Sequence, residues 1–219
     1  MKLIHLTMKI PNRDECFYFF SHLFVLTILF CIFYGTTNYL ASQRTDHLEL
    51  YLNFEKNIPF FPSWILIYFS INLIFFLPLF YLHPMEMRLL SICFSLITIV
   101  ASICFILLPA RLGYLKPMSF SIFHSIYQFL YTIEYPHNLF PSLHVSYSAL
   151  IFRFLFPKAK RKEKFLFIVW FILLVLSVLF THQHHIFDIF SGLLLTYLVL
   201  KLAFYGERKG WRFFRMDRA

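Results

Sequence analysis

Charge is scarce in this chain, and acidic charge scarcer still: only 14% of 219 residues are Asp, Glu, Lys or Arg, with 11 acidic against 20 basic. A soluble domain of this length needs a far more polar surface. With 59% hydrophobic residues and a mean hydropathy of +0.68, the composition is that of an integral membrane protein. Glycine is also rare. Five glycines against 31 phenylalanines exclude a bundle zipped through Gly-rich faces and predict bulky, lipid-facing helices. Cysteine is limited to Cys16, Cys31, Cys93 and Cys104, all in or beside apolar runs and none at metal-ligand spacing. A disulfide framework is excluded, and buried free thiols are expected. No internal repeat is present, so residues 1–219 read as one domain. The segment Met1 to Asp14 has no small-residue cleavage site and is interrupted by Pro11, which argues against a cleaved signal peptide.

What is present in abundance is the apolar run. The predicted architecture is all-α, with six transmembrane helices: Cys16 to Tyr39, Pro62 to Leu82, Leu89 to Leu108, Pro141 to Phe156, Phe165 to Phe180 and His184 to Phe204. Each approaches the length needed for a bilayer core of about 30 Å. The fourth needs Leu139 and Phe140 to reach it, and Pro78 is expected to kink the end of the second. The polar connector Ala41 to Phe61 holds a weak helical stretch from His47 to Phe54. The longest connector, Pro109 to Phe140 between the third and fourth helices, is expected to be an extramembrane loop.

An even number of spans puts both termini on one side. The opposite side keeps Arg44, Lys56, Arg111 and Lys116, and every other Lys and Arg falls on the side of the termini. The positive-inside rule then places both termini in the cytoplasm, as in a bacterial inner membrane, and His144 and His184 at the outer face. The basic excess is therefore a topological signal, and no nucleic-acid partner is expected. Arg153 is expected to snorkel, and Trp64 to anchor at head-group level.

Polar chemistry concentrates in two places. The first is the stretch from Tyr135 to His144, where Pro141 suits a first-turn position and Ser142 and His144 would open the next helix. Free amides and the helix dipole attract an anion there. The second is the run Thr181 to Asp188. His184 and Asp188 stand four residues apart, so on a helix they share a face and can hydrogen-bond. A carboxylate on one imidazole nitrogen fixes the tautomer and leaves the other nitrogen as a nucleophile or base. Asp188 lies in an apolar span, where an ionisable group usually serves function. The plain alternative, locally bonded interfacial residues, is the default for any lone histidine; three histidines plus an in-span aspartate outweigh it. His185 projects about 100° away from His184 on a helix and reads as a neighbour. His137 and Asn138 read as shaping the turn, and His124 as interfacial.

Pro141-Ser142-Leu143-His144 resembles the Pro-Ser-x-His motif of the type 2 phosphatidic acid phosphatase superfamily, and His184-x-x-x-Asp188 resembles the end of that family's third motif. The 40-residue gap between the histidines and the six-span layout are similar to the membrane branch. The resemblance covers about residues 109 to 200. It implies a lipid phosphatase that acts through a phosphohistidine on His184, oriented by Asp188, with His144 as acid and then base. Ser142 and backbone amides would hold the phosphoryl oxygens. It implies no metal and no cofactor.

The pattern departs from the family in two places. The first motif normally opens with lysine and ends Arg-Pro; here Lys116-Pro117 fits the end, Pro109 stands at the opening position, and Arg111 is the nearby cation. The third motif normally begins Ser-Arg, whereas this chain has Ser177-Val178, leaving Thr181, His182 or Gln183 as substitute donors. Arg111 and Lys116 are then the expected phosphate-binding cations, with head-group anchoring as their alternative role. The start of the sixth span also resembles the inositol phosphorylceramide synthase-like branch, which implies transfer of a phosphoryl head group to an alcohol instead of water. From other classes, an inactive lipid-binding protein and a transporter are the competing readings. Polar residues gathered at one membrane face, without repeat symmetry, tell against a transporter.

Overall fold

The computed structural model describes residues 8–115, 122–133 and 136–214. Among these residues the regular elements are helical, apart from one isolated parallel bridge between Leu48 and Ala110. The all-α expectation therefore holds. Helix α1, Arg13–Ser42, is 30 residues long. Its start is reciprocally capped: the Asn12 side chain accepts from the Glu15 amide at 2.8 Å and Glu15 Oε2 accepts from the Asn12 amide at 3.1 Å, satisfying two donors that the helix itself cannot.

The second apolar run is not one continuous helix. After a 3-10 turn at Pro62–Trp64 it breaks into α2 (Ile65–Phe69), α3 (Ile71–Ile74) and α4 (Leu77–Tyr81). The cause is polar side chains inside the run. Ser70 Oγ donates to the Ile67 carbonyl at 2.6 Å and Asn72 Nδ2 to the Phe69 carbonyl at 2.9 Å, bonds that compete with the helical ladder. Pro78 has no amide to continue it. Trp170 Nε1 donates to Ser70 Oγ at 2.8 Å, fixing the break against a neighbouring helix.

The chain continues with α5 (Pro84–Leu107), α6 (His124–Ile133), α7 (Leu143–Leu155), α8 (Arg161–Phe180) and α9 (Ile186–Arg208). Among the described residues α1, α5, α8 and α9 are long and apolar enough to cross a membrane. The second and fourth expected spans appear as shorter apolar segments, Pro62–Ile74 and Leu143–Leu155. The 13 residues of α7 rise only about 20 Å. The stretch expected as a loop before α7 contains α6, whose Tyr127 and Leu130 are buried against Ile65, Tyr68, Val145 and Val178. A single amphipathic face was enough to fold it back onto the bundle.

One end of the bundle collects the connections that matter. Arg44 Nη1 donates to the Ile106 carbonyl at 2.7 Å and the Leu48 amide to the Pro109 carbonyl at 2.8 Å, so α1 and α5 are parallel and finish together. The Ser142 amide donates to the Asp188 carbonyl at 3.0 Å, so α7 and α9 begin together at that same end. Leu150, Ile151 and Leu155 of α7, Ile97 and Phe105 of α5, and Val199 and Ala203 of α9 form the core beneath them.

The seam between α7 and α9 is a local close approach among otherwise bulky helices. A Cβ on Gly192 would sit 2.7 Å from the Ser142 carbonyl oxygen and 3.1 Å from Ser146 Oγ. Ser146 Oγ donates to the Gly192 carbonyl at 3.0 Å, and Thr196 Oγ1 to the Ser146 carbonyl at 3.0 Å. Small residues let the two backbones approach and exchange hydrogen bonds, as membrane helices require when no hydrophobic force separates protein from lipid.

Candidate active site

Both motif helices start two residues later than the expected spans, at Leu143 and Ile186. Ser142 is the cap of α7, with Oγ accepting from the Val145 amide at 3.4 Å, so Pro141 precedes the cap and the Phe140–Pro141 peptide is cis. His144 falls in the first turn. His185, not His184, caps α9. The His184–Asp188 pair therefore forms across the capping turn and not along a helix face: His184 Nδ1 donates to Asp188 Oδ2 at 3.3 Å. The same oxygen accepts from the His185 amide at 2.8 Å. Asp188 is thus both helix cap and partner to the imidazole, and it is 1% exposed.

The turn before α9 is held from below. The amides of Gln183 and His184 both donate to the Val178 carbonyl at 3.0 Å. His182 adopts a left-handed conformation, φ 55°, uncommon outside glycine, and its Nε2 donates to the Ile58 carbonyl at 2.9 Å. Tyr114 is stacked between the rings of His182 and His185, at centroid distances of 4.0 and 4.4 Å. Burial lowers the affinity of both His182 and His185 for a proton.

His144 is oriented by the break in the second apolar run. Its Nε2 donates to the Tyr68 carbonyl at 2.8 Å, and its ring stacks on Tyr68 at 4.0 Å. A carbonyl can only accept, so Nε2 carries hydrogen and Nδ1 is the nitrogen left for chemistry. On His184 the free nitrogen is Nε2. His144, His184 and Gln183 line the same cavity, about 470 Å³ in volume. The cavity follows Tyr34, Phe30, Leu26 and Phe19 down α1, facing Phe75 and Pro78 of the broken run and Phe94 and Met87 of α5. From Tyr34 to Phe19 it extends about 22 Å at 1.5 Å per helical residue. Its mouth, at His144, His184, Gln183 and Asn138, is polar; its length is mainly apolar, interrupted by His22, Thr27, Asn72, Ser91 and Thr98.

The remaining sequence candidates are placed differently. Ser142 and Thr181 are each 0% exposed and absent from the cavity wall; Thr181 Oγ1 donates to the Ser177 carbonyl at 2.7 Å. Gln183 does reach the wall, with Nε2 donating to the Thr181 carbonyl at 3.1 Å. Arg111 forms an exposed ion pair with Glu49 and is not among the residues lining the cavity. Lys116 lies outside the described residues.

Sequence reasoning missed Glu55. This residue, in a 3-10 turn at Asn53–Asn57, is fully buried. Its Oε2 accepts from His185 Nδ1 at 3.1 Å and from the Ile186 amide at 2.8 Å; its Oε1 accepts from the Leu52 amide at 2.7 Å. The Gly113 amide donates to His185 Nε2 at 2.9 Å. Both nitrogens of His185 are occupied, which makes it a structural neighbour of His184. The available signal was one of three acidic residues in a polar connector, too little to link it with a histidine 130 positions away.

A family model described as the PAP2 superfamily matches residues 88–212, which include His144, His184 and Asp188. Neither the curated proteins nor the solved structures give a match to the chain. Two histidines on parallel helix starts, one held by a buried aspartate, at the polar mouth of a long apolar cavity, and that family match lead to one conclusion: this membrane protein belongs to the PAP2 superfamily, whose members are generally phosphatases or phosphotransferases.

Proposed function

We propose that the chain removes the phosphoryl group from a lipid phosphate or isoprenyl diphosphate through a phosphohistidine on His184. The observation that carries this reading is the His184–Asp188 pair opening, with His144, onto one cavity. His184 Nε2 attacks phosphorus, and the bond to the lipid oxygen breaks. Protonated His144 gives its Nδ1 proton to that oxygen. Water then attacks the phosphohistidine, passes a proton back to His144, and frees phosphate, the alternation such a displacement needs. Asp188 supports the imidazolium character that grows on His184. Arg111 and Lys116 serve as loop cations that capture the anionic head group, and Ser142, Thr181 and Gln183 shape the turns that surround the phosphoryl oxygens. Six membrane-crossing segments with cytoplasmic termini put this chemistry at the outer leaflet.

Transfer of a phosphoryl head group to an alcohol is the second reading. Among the described residues the cavity lining contains no Lys or Arg, which suits a singly charged phosphodiester better than a monoester. Incubating the purified protein with labelled lipid phosphates, isoprenyl diphosphates and phospholipids, with and without polyols, separates the two. Free phosphate identifies hydrolysis, a new labelled lipid identifies transfer, and no turnover of any substrate rejects both. For the topology, a cysteine at Gln128 should react with an impermeant reagent in intact cells and one at Lys162 should not; the reverse pattern would move the site to the inner leaflet.

A further inference from the structure

Asn138 lies at the mouth of the cavity and is 4% exposed. Its Nδ2 donates to the Tyr34 carbonyl at 3.1 Å and to Thr37 Oγ1 at 3.0 Å, both on α1. The first acceptor settles the orientation of the amide, because a carbonyl cannot donate and only the nitrogen can face it. Thr37 Oγ1 agrees, since its own hydrogen is directed to carbonyls of its helix. The carbonyl oxygen, Oδ1, is left buried with no hydrogen-bond partner. A buried acceptor without a donor is costly, and phosphate oxygens are acceptors too, so they do not satisfy it.

We propose that Asn138 is a specificity-determining residue: its Oδ1 accepts a hydrogen bond from a donor, a hydroxyl or an amide N–H, on the interfacial segment of a long-chain lipid whose hydrocarbon lies along α1. This rests on the lipid-phosphate reading above and deepens it. The polar mouth and the mainly apolar length of the cavity match the two ends of such a molecule. A lipid with a donor near its phosphate fills the vacant acceptor on binding. A lipid without one leaves this buried acceptor unpaired, the situation that gives polar sites their strongest discrimination.

The test uses three long-chain monophosphates of equal length, bearing near the phosphate a hydroxyl, an amide N–H or neither. Their equilibrium binding is measured on the full-length His184→Ala protein in detergent, and their turnover on the wild type. The hydroxyl or the amide lipid should bind about tenfold more tightly than the bare one; which of them does so identifies the donor. Asn138→Ala should bring the three affinities together. Thr37→Val, which keeps the Tyr34 contact and leaves Oδ1 untouched, should preserve the preference. Equal affinities for all three lipids on the His184→Ala protein, or binding of none, overturn the proposal even if Asn138→Ala fails to fold. Equal turnover of all three by the wild type also overturns it while leaving the phosphatase reading intact. Preferential binding without turnover has the opposite meaning: the Asn138 assignment stands and the catalytic reading falls.

Discussion

Glu55 holds His185 across 130 positions of sequence, with Oε2 at 3.1 Å from Nδ1 and both side chains at most 1% exposed. The same carboxylate receives the Ile186 amide, so the connector after α1 caps the helix that carries Asp188. The connector after α1 thereby fixes the position of the turn that carries His184.

Removing that carboxylate should therefore destabilise the protein more than it changes the chemistry. Glu55→Ala strands the amides of Leu52 and Ile186 and one imidazole nitrogen, at about 1–3 kcal/mol for each buried group left unpaired. Glu55→Gln keeps an acceptor and should cost less than half as much. Thermal unfolding in detergent measures both. Equal midpoints for the alanine variant and wild type would show that the turn does not depend on Glu55.

His184 and His144 should fail in different ways. A nucleophile is required for every substrate, so His184→Ala should abolish turnover of lipid and activated aryl phosphates alike. His144→Ala should lose lipid turnover, by about 10²–10⁴-fold, yet still form a phosphoenzyme with an aryl phosphate whose leaving group departs without a proton. Asp188→Asn should lie between. Acid-labile phosphate trapped on the His184→Ala protein would place the nucleophile elsewhere.

The close seam between α7 and α9 gives Gly192 a role at a distance. Adding one methyl puts a carbon 2.7 Å from the Ser142 carbonyl and must push the helix starts apart. Gly192→Ala should cost about 1–3 kcal/mol in stability and, through the displaced pair His144 and His184, at least tenfold in kcat. Gly35→Ala, where the added carbon meets nothing within 4 Å, is the control: it should leave kcat unchanged and cost no stability, since alanine is the better helix former.

Arg111 is already paired with Glu49 and more than half exposed, so its contribution to capture is that of a screened surface charge. Arg111→Gln should raise KM a few-fold at low salt, with kcat unchanged, and the difference should shrink as salt is added. A salt-independent loss in kcat would instead place the guanidinium on the reacting phosphoryl group.

Burial keeps His182 and His185 neutral in the folded turn below the pH at which a free histidine charges, although Asp188 and Glu55 partly oppose this at His185. The unfolded chain then binds more protons than the folded one as pH falls through about 6.5. Stability should be flat above that pH and decline below it, until the folded-state values are passed. Unfolding midpoints for the wild type and His182→Asn between pH 5 and 8 test this, and the variant should show the shallower decline. Identical slopes would assign the acid sensitivity to other groups.

The long helices and the two histidine motifs were legible because each is written in consecutive residues: an apolar run for α5 or α9, a Pro-Ser-x-His or His-x-x-x-Asp spacing for the site. What stayed hidden depends on contacts between distant residues. Hydropathy averages over Ser70 and Asn72, so the break that aims the Tyr68 carbonyl at His144 passed as part of a single span. The folding-back of α6 turns on one apolar face inside a stretch rich in loop residues. Glu55 and Asn138 carry no local sign of their partners, since their meaning comes from His185 and Tyr34, residues brought beside them only by the fold.

The wall that α1 lends to the cavity lies outside residues 88–212, the part of the chain that the family model matches. Within that part stand all three residues of the proposed phosphoryl chemistry, on helices locked together by the Gly192 seam. The side of α1 that does not face the cavity is largely bare, with Phe17, Phe24 and Ile32 all more than half exposed. On the proposed reading, the reacting residues and the α1 part of the hydrocarbon wall lie in separate stretches of the chain, joined by the Asn138 amide. Such a division leaves the first helix free to diversify: new side chains along it can retune which hydrocarbon is admitted while the reacting atoms stay where they are.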